Sequence, residues 1–81
     1  MNFDRITADP NVMQGKPCVR GMRITVSLVV NLVANGMTSE EILRNYPDLE
    51  QDDIRQCLHY AAWLAEDPVV PFGETSVAVP R

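Results

Sequence analysis

The sequence is poor in the residues that most often carry chemistry. Its 81 residues hold two cysteines, one histidine and one tryptophan. Cys18 and Cys57 stand far apart and form no CxxC. With a single histidine they cannot complete a four-ligand zinc site, so no metal is expected. Both are expected as small buried thiols. No run of about 18 apolar residues occurs, so no membrane span is expected. Met1-Asn2-Phe3-Asp4-Arg5 lacks a cationic stretch leading into an apolar one. That is not a secretory pattern, and the cytoplasm is the expected compartment. Positive charge is scarce too: seven Lys and Arg face eleven Asp and Glu, a formal net charge of −4.

Catalytic patterns are missing as well. Gly15-Lys16 is no phosphate-binding P-loop, because the earlier glycine is absent and Pro17 stands where the hydroxyl should be. His59, between Leu58 and Tyr60, has no evident catalytic partner. No serine or cysteine has a base placed beside it by a known motif. The expectation is a binding protein with no cofactor, not an enzyme.

What is present is an uneven charge layout. Arg5, Lys16, Arg20 and Arg23 precede Met37 against only Asp4 and Asp9. Nine of the eleven acids follow, with Arg44, Arg55 and Arg81. A basic arm on an acidic body suggests two partner surfaces. Residues 1–24 read as a β-arm punctuated by turns at Asp9-Pro10-Asn11, Gln14-Gly15-Lys16-Pro17 and Arg20-Gly21. The β-prone pairs Cys18-Val19 and Arg23-Ile24 suggest a small ribbon.

Residues 25–66 read as three helices. The first is expected over Val26–Ala34, capped by Thr25 and ended by Asn35-Gly36. Val26, Val29, Val30 and Val33 share one face, while Leu28 and Leu32 fall away from it and suggest contact with a second body. The second opens on the capping box Thr38-Ser39-Glu40-Glu41 and stops before Pro47. The third is expected from Gln51 to about Ala65. Its core stripe is Ile54, Cys57, Leu58, Ala61 and Ala65, with Tyr60 and Trp63 on the outer face. Residues 67–81, with Pro68, Pro71, Gly73 and Pro80, read as an extended tail. A chain this short supports a modest core, so self-association as a homodimer is expected.

The second and third helices have the proportions of a helix-turn-helix. In DNA-binding versions the start of the last helix faces the groove, which singles out Arg55 and Gln56. Glu50, Asp52 and Asp53 stand there too and oppose phosphate, although acids also suit a helix N-terminus. Lys16, Arg20 and Arg23 are the candidate phosphate contacts of the arm. An arm of ordinary surface charges, pairing with the acidic body of a neighbouring subunit, is the competing reading. Tyr60 and Trp63, with Leu28 and Leu32, are the candidate protein-binding residues. The tail or a dimer mate is another candidate cover for the aromatic pair.

Asp9-Pro10, Gly15-Lys16-Pro17, Gly21-Met22-Arg23-Ile24 and Gly36-Met37 form a combined pattern. It continues through Glu40-Glu41-Ile42-Leu43, Tyr46-Pro47, Leu49, Asp53-Ile54-Arg55 and Tyr60-Ala61-Ala62. Over roughly residues 6–62 the chain resembles the small prokaryotic domain-of-unknown-function family numbered 433. The resemblance implies a mainly α, homeodomain-like three-helix fold with a short N-terminal β-arm. It also implies an antitoxin-like regulator that binds a PIN-like nuclease toxin and operator DNA. A pure protein-interaction module that never touches DNA is the alternative, motivated by the net charge of −4. Three positions depart from the family pattern. Gln14 stands where a second glycine is usual, Met22 replaces a common threonine, and Glu50-Gln51 replaces a usual Thr-Pro helix start.

Overall fold

A computed structural model describes residues 2–66, and the expected tail lies outside the described residues. The described chain is mainly helical, with a two-stranded antiparallel hairpin near its N-terminus. Strand β1 is Ile6–Thr7 and β2 is Cys18–Val19, with Ile6 opposite Val19 and Thr7 opposite Cys18. Helices α1, α2 and α3 span Val26–Ala34, Ser39–Asn45 and Gln51–Ala65. Both α1 and α2 pack on α3.

Local chemistry explains the helix ends. The Leu28 N–H donates to the Thr25 hydroxyl over 3.0 Å. Such a cap contributes about 1 kcal/mol. At the far end Gly36 takes φ +93°, which closes α1 without the cost a β-carbon would bring. In the capping box of α2, Glu41 N–H donates to the Thr38 hydroxyl and Thr38 N–H to the Glu41 carboxylate. The start of α3 lacks a short hydroxyl cap, yet the N–H of Glu50 donates to Asp53 Oδ2 over 2.8 Å. Asp53 thus supplies the reciprocal half of a capping box that the sequence of Glu50-Gln51 does not advertise.

The core gathers Val19 of β2, Val26 and Val29 of α1, Ile42 of α2, Leu49, and Ile54 and Cys57 of α3. Cys18 and Cys57 are free and buried, as is usual for cysteine thiols. Burial also pushes the Cys57 thiol up to about 11, with the Asp53 charge adding to it, so the thiolate is suppressed at neutral pH.

Three expectations need correction. Arg23-Ile24 is not a strand: the partner of Cys18-Val19 is Ile6-Thr7. The Val19 N–H donates instead to the Ile24 carbonyl, and Thr25 bridges Cys18, which folds the chain straight into α1. Leu58 is not core but 37% exposed. The buried line of α3 runs through Asp53, Ile54 and Cys57 toward the half-buried Tyr60 and Ala61, and Leu58 lies to its side. Leu32 of α1 packs partly against the core and is not purely an outer residue.

The turns carry backbone strain. Asp9 accepts the Asn11 N–H over 2.9 Å, as an Asp-Pro-Asn turn should. A single 3₁₀ turn over Met13–Gly15 follows, with φ of +51° at Met13, +59° at Gln14 and +83° at Gly15. Left-handed conformation costs a side-chain-bearing residue roughly 1–2 kcal/mol, and glycine little. Replacing exposed Gln14 by glycine is therefore expected to raise stability by about 0.5–1 kcal/mol, after glycine's larger unfolded-state entropy is subtracted. Urea unfolding measures it, and a clear loss of stability would show that the glutamine side chain offsets the strain.

Candidate functional site

The N-terminal arm is not an extended arm. It lies against α3 and is fastened there by charge. Asp53, 1% exposed, sits on the buried line of α3 one residue before Ile54. Arg20, just after β2, donates from Nε to Asp53 Oδ1 at 3.0 Å and from Nη2 to Oδ2 at 2.8 Å, a two-pronged pairing. Arg5, just before β1, donates from Nη1 to Asp53 Oδ1 at 2.9 Å and to Glu50 Oε1 at 2.9 Å. The Arg20 N–H donates to the Arg5 carbonyl, so the hairpin backbone holds the two cations side by side. Arg20 Nη2 also reaches the Asp48 carbonyl over 2.7 Å and ties down the turn before α3. Every oxygen of the buried carboxylate has a donor, which is what burying a charge requires.

Burial alone would push the Asp53 carboxyl up. The hydrogen bonds from Arg20, Arg5 and the Glu50 N–H outweigh it and bring the carboxyl down to about 2 from an ordinary 3.8. Hydrogen bonds to Glu50 and Asp53 raise Arg5 in turn, and the bond to Asp53 raises Arg20.

The two remaining DNA candidates on α3 are also engaged. Arg55 Nη2 donates to Asp52 Oδ1 at 2.7 Å on the exposed face. Gln56 Oε1 accepts the Arg5 N–H at 2.7 Å, and its Nε2 donates to Asp4 at 3.1 Å. Gln56 thus helps to hold the arm. Of the five residues singled out for DNA, Arg20 is turned inward onto Asp53. Lys16 and Arg23 have no carboxylate partner among the described residues. They line a separate open cleft with Pro10, Asn11, Met13 and Gln14.

The outer aromatic face is half built over. Phe3 packs edge-on against Tyr60 at 5.1 Å and tilted against Trp63 at 5.6 Å. Tyr60 and Trp63 stand 5.9 Å apart. Tyr60 is half-buried and joins the core, contrary to its reading as an outward residue, while Trp63 stays 49% exposed. Leu28 is half-buried on α1. Leu64 lies two helical turns beyond Cys57 on the same line of α3, yet is 61% exposed. It borders a groove of about 450 Å³ between α1 and α3, lined also by Pro17, Val26, Val30, Tyr60 and Ala61. His59 is exposed.

Sequence reading missed Arg5 and Phe3, and took Asp53 for a helix-end carboxylate. One signal was present: Asp53 falls on the stripe of Cys57 and Ala61, at i−4 and i−8. A carboxylate on an apolar stripe implies a buried cation partner.

The architecture defines a small three-helix domain closed by an N-terminal hairpin on a buried carboxylate. A family model described as protein of unknown function (DUF433) matches residues 6–61, and the chain belongs to that family. An uncharacterized protein y4eO from Sinorhizobium fredii is 38% identical over 56 residues, covering 69% of this chain and 25% of the relative. The crystal structure of a DUF433 member protein from Anabaena variabilis superposes with a TM-score of 0.69 at 32% identity, over 73% of this chain and 58% of that one. The chain thus spans a quarter of the curated relative and somewhat over half of the solved one. Among the described residues no helix is long and apolar enough to cross a membrane.

Asp53 gives a direct prediction. Its carboxyl is depressed in the folded state, so its stabilisation is present above 3.8 and is lost as pH falls toward about 2. At about 1.4 kcal/mol per pH unit this is about 2 kcal/mol. Asp53→Asn should lower stability by about 2–3 kcal/mol at neutral pH. This is less than for a fully buried pair, because both arginines can turn to water. Thermal unfolding of the variant should also lose most of the fall between pH 5 and 2. Equal acid sensitivity in both proteins would rule the carboxylate out as its source.

Proposed function

We propose that the protein is an antitoxin-like regulator that acts by binding, without catalysis, and that its principal partner is another protein. The observation that carries this reading is the overhang of α3. Leu64 lines the apolar α1–α3 groove, and Trp63, next to it in sequence, is exposed on the face that packs Phe3. An exposed aromatic and a leucine placed together on a rigid helix are the anchors that protein interfaces favour. The partner class implied by the family resemblance is a PIN-like nuclease toxin. A net charge of −4 suits docking on the basic surface that a nuclease presents to nucleic acid. Leu28, the other candidate on α1, does not line this groove. A second copy of this chain is the competing occupant of the groove.

Operator DNA is the second reading. Lys16 and Arg23, which lack carboxylate partners among the described residues, favour it. The inward turn of Arg20 and the carboxylates around Arg55 weigh against the start of α3 as a base-reading surface.

Leu64→Asp tests the protein reading cleanly, because an exposed site tolerates substitution within about 0.5 kcal/mol. The variant should unfold like the parent yet lose at least tenfold in affinity for a nuclease encoded beside its gene, measured by co-purification and calorimetry. Undiminished capture would remove the groove from the interface. Sedimentation of the parent alone distinguishes the other occupant: a dimer lost in Leu64→Asp would place a second copy there.

A further inference from the structure

The cleft between the Pro10–Lys16 loop and Arg23 has a chemistry of its own. It is open, about 420 Å³, and no carboxylate lines it. Lys16 and Arg23 give it two positive charges in a chain of net charge −4. The nearby Asp9 carboxylate is held on the Asn11 N–H, outside the lining. The carboxamides of Asn11 and Gln14 stand in the wall as neutral N–H donors.

The backbone of this wall is held against its preference. Met13 and Gln14 are consecutive left-handed residues with side chains, and Gln14 is exposed, so burial does not offset its cost. Conformations of this kind persist where ligands are clamped. Here the turn has two visible effects. It sets the Met13 sulfur 4.0 Å from Arg23 Nη1, which positions that guanidinium at the cleft. It also presents the Gln14 carboxamide on the same wall as Lys16.

We propose that this cleft binds a phosphate group. Lys16 and Arg23 supply charge, and Gln14 and Asn11 supply N–H donors to the remaining oxygens. A guanidinium and an ammonium lining one cleft suit a tetrahedral oxyanion with several acceptor atoms. The phosphate belongs either to a free small molecule or to a nucleic-acid backbone. The inference deepens the second reading given above and, for its source only, rests on it.

Two-dimensional NMR of the full chain tests it, with inorganic phosphate and a short mixed-sequence DNA duplex as separate probes. At least one probe is expected to shift the side-chain signals of Asn11, Gln14 and Arg23 selectively. Lys16→Ala with Arg23→Ala should weaken that probe at least tenfold. Gln14→Gly should weaken it about threefold to tenfold while raising stability, the trade expected where strain serves binding. Gln14→Asn, which tolerates the left-handed region and keeps the amide, should stay within about threefold of the parent. Shifts with phosphate but not the duplex would uphold the cleft and sink the DNA reading. Shifts with the duplex confined to the cleft would uphold both. No shift with either probe, shifts elsewhere, or equal affinity in the double variant would overturn the proposal.

Discussion

Everything in this domain leans on one buried carboxylate. Asp53 sits where a leucine would otherwise sit, on the inner line of α3, and cannot remain charged there without cations brought from elsewhere. Arg5 and Arg20 are those cations, from the two ends of the hairpin and far from Asp53 in sequence. The same carboxylate accepts the N–H of Glu50 and so starts the helix that carries it. One side chain therefore caps α3, closes the hairpin and fixes the turn through Arg20 and the Asp48 carbonyl.

That economy changes the meaning of the charge layout. The basic N-terminal half and the acidic helical half look like two surfaces awaiting two partners. In the folded chain Arg5 and Arg20 are spent on Glu50, Asp52 and Asp53. The arm does pair with an acidic body, and the pairs seen lie within one chain. What is left over is informative by subtraction. Lys16 and Arg23 remain on a strained loop, and Trp63 and Leu64 remain on the last turns of α3. Among the described residues these are two places where the fold presents chemistry it does not itself consume.

The helices were legible because their signals are local. Thr25, Thr38 with Glu41, and Gly36 mark ends by hydrogen bonds and backbone freedom within a few residues. The hairpin was only half legible. Cys18-Val19 reads as a strand, but its partner Ile6-Thr7 lies across two turns, and pairing over such a loop leaves no short-range mark. The site was least legible. Arg5 and Phe3 act through contacts with residues about 50 or more positions away, while Leu58 lies beside the buried line and Leu64, on that line, is left exposed among the described residues. Gln14 shows the converse: glycine is usual at that position in the family it resembles, and the left-handed φ explains why.

The central claim is that hairpin and helices form a single cooperative unit locked at Asp53. Native-state hydrogen exchange measures this directly. The Arg20 amide, bonded to the Arg5 carbonyl, should exchange with the same opening free energy as the core amides of α3 around Cys57, since neither can open without exposing the carboxylate. A hairpin amide that exchanges several kcal/mol more easily than α3 would show an arm that frays independently, and would contradict the account.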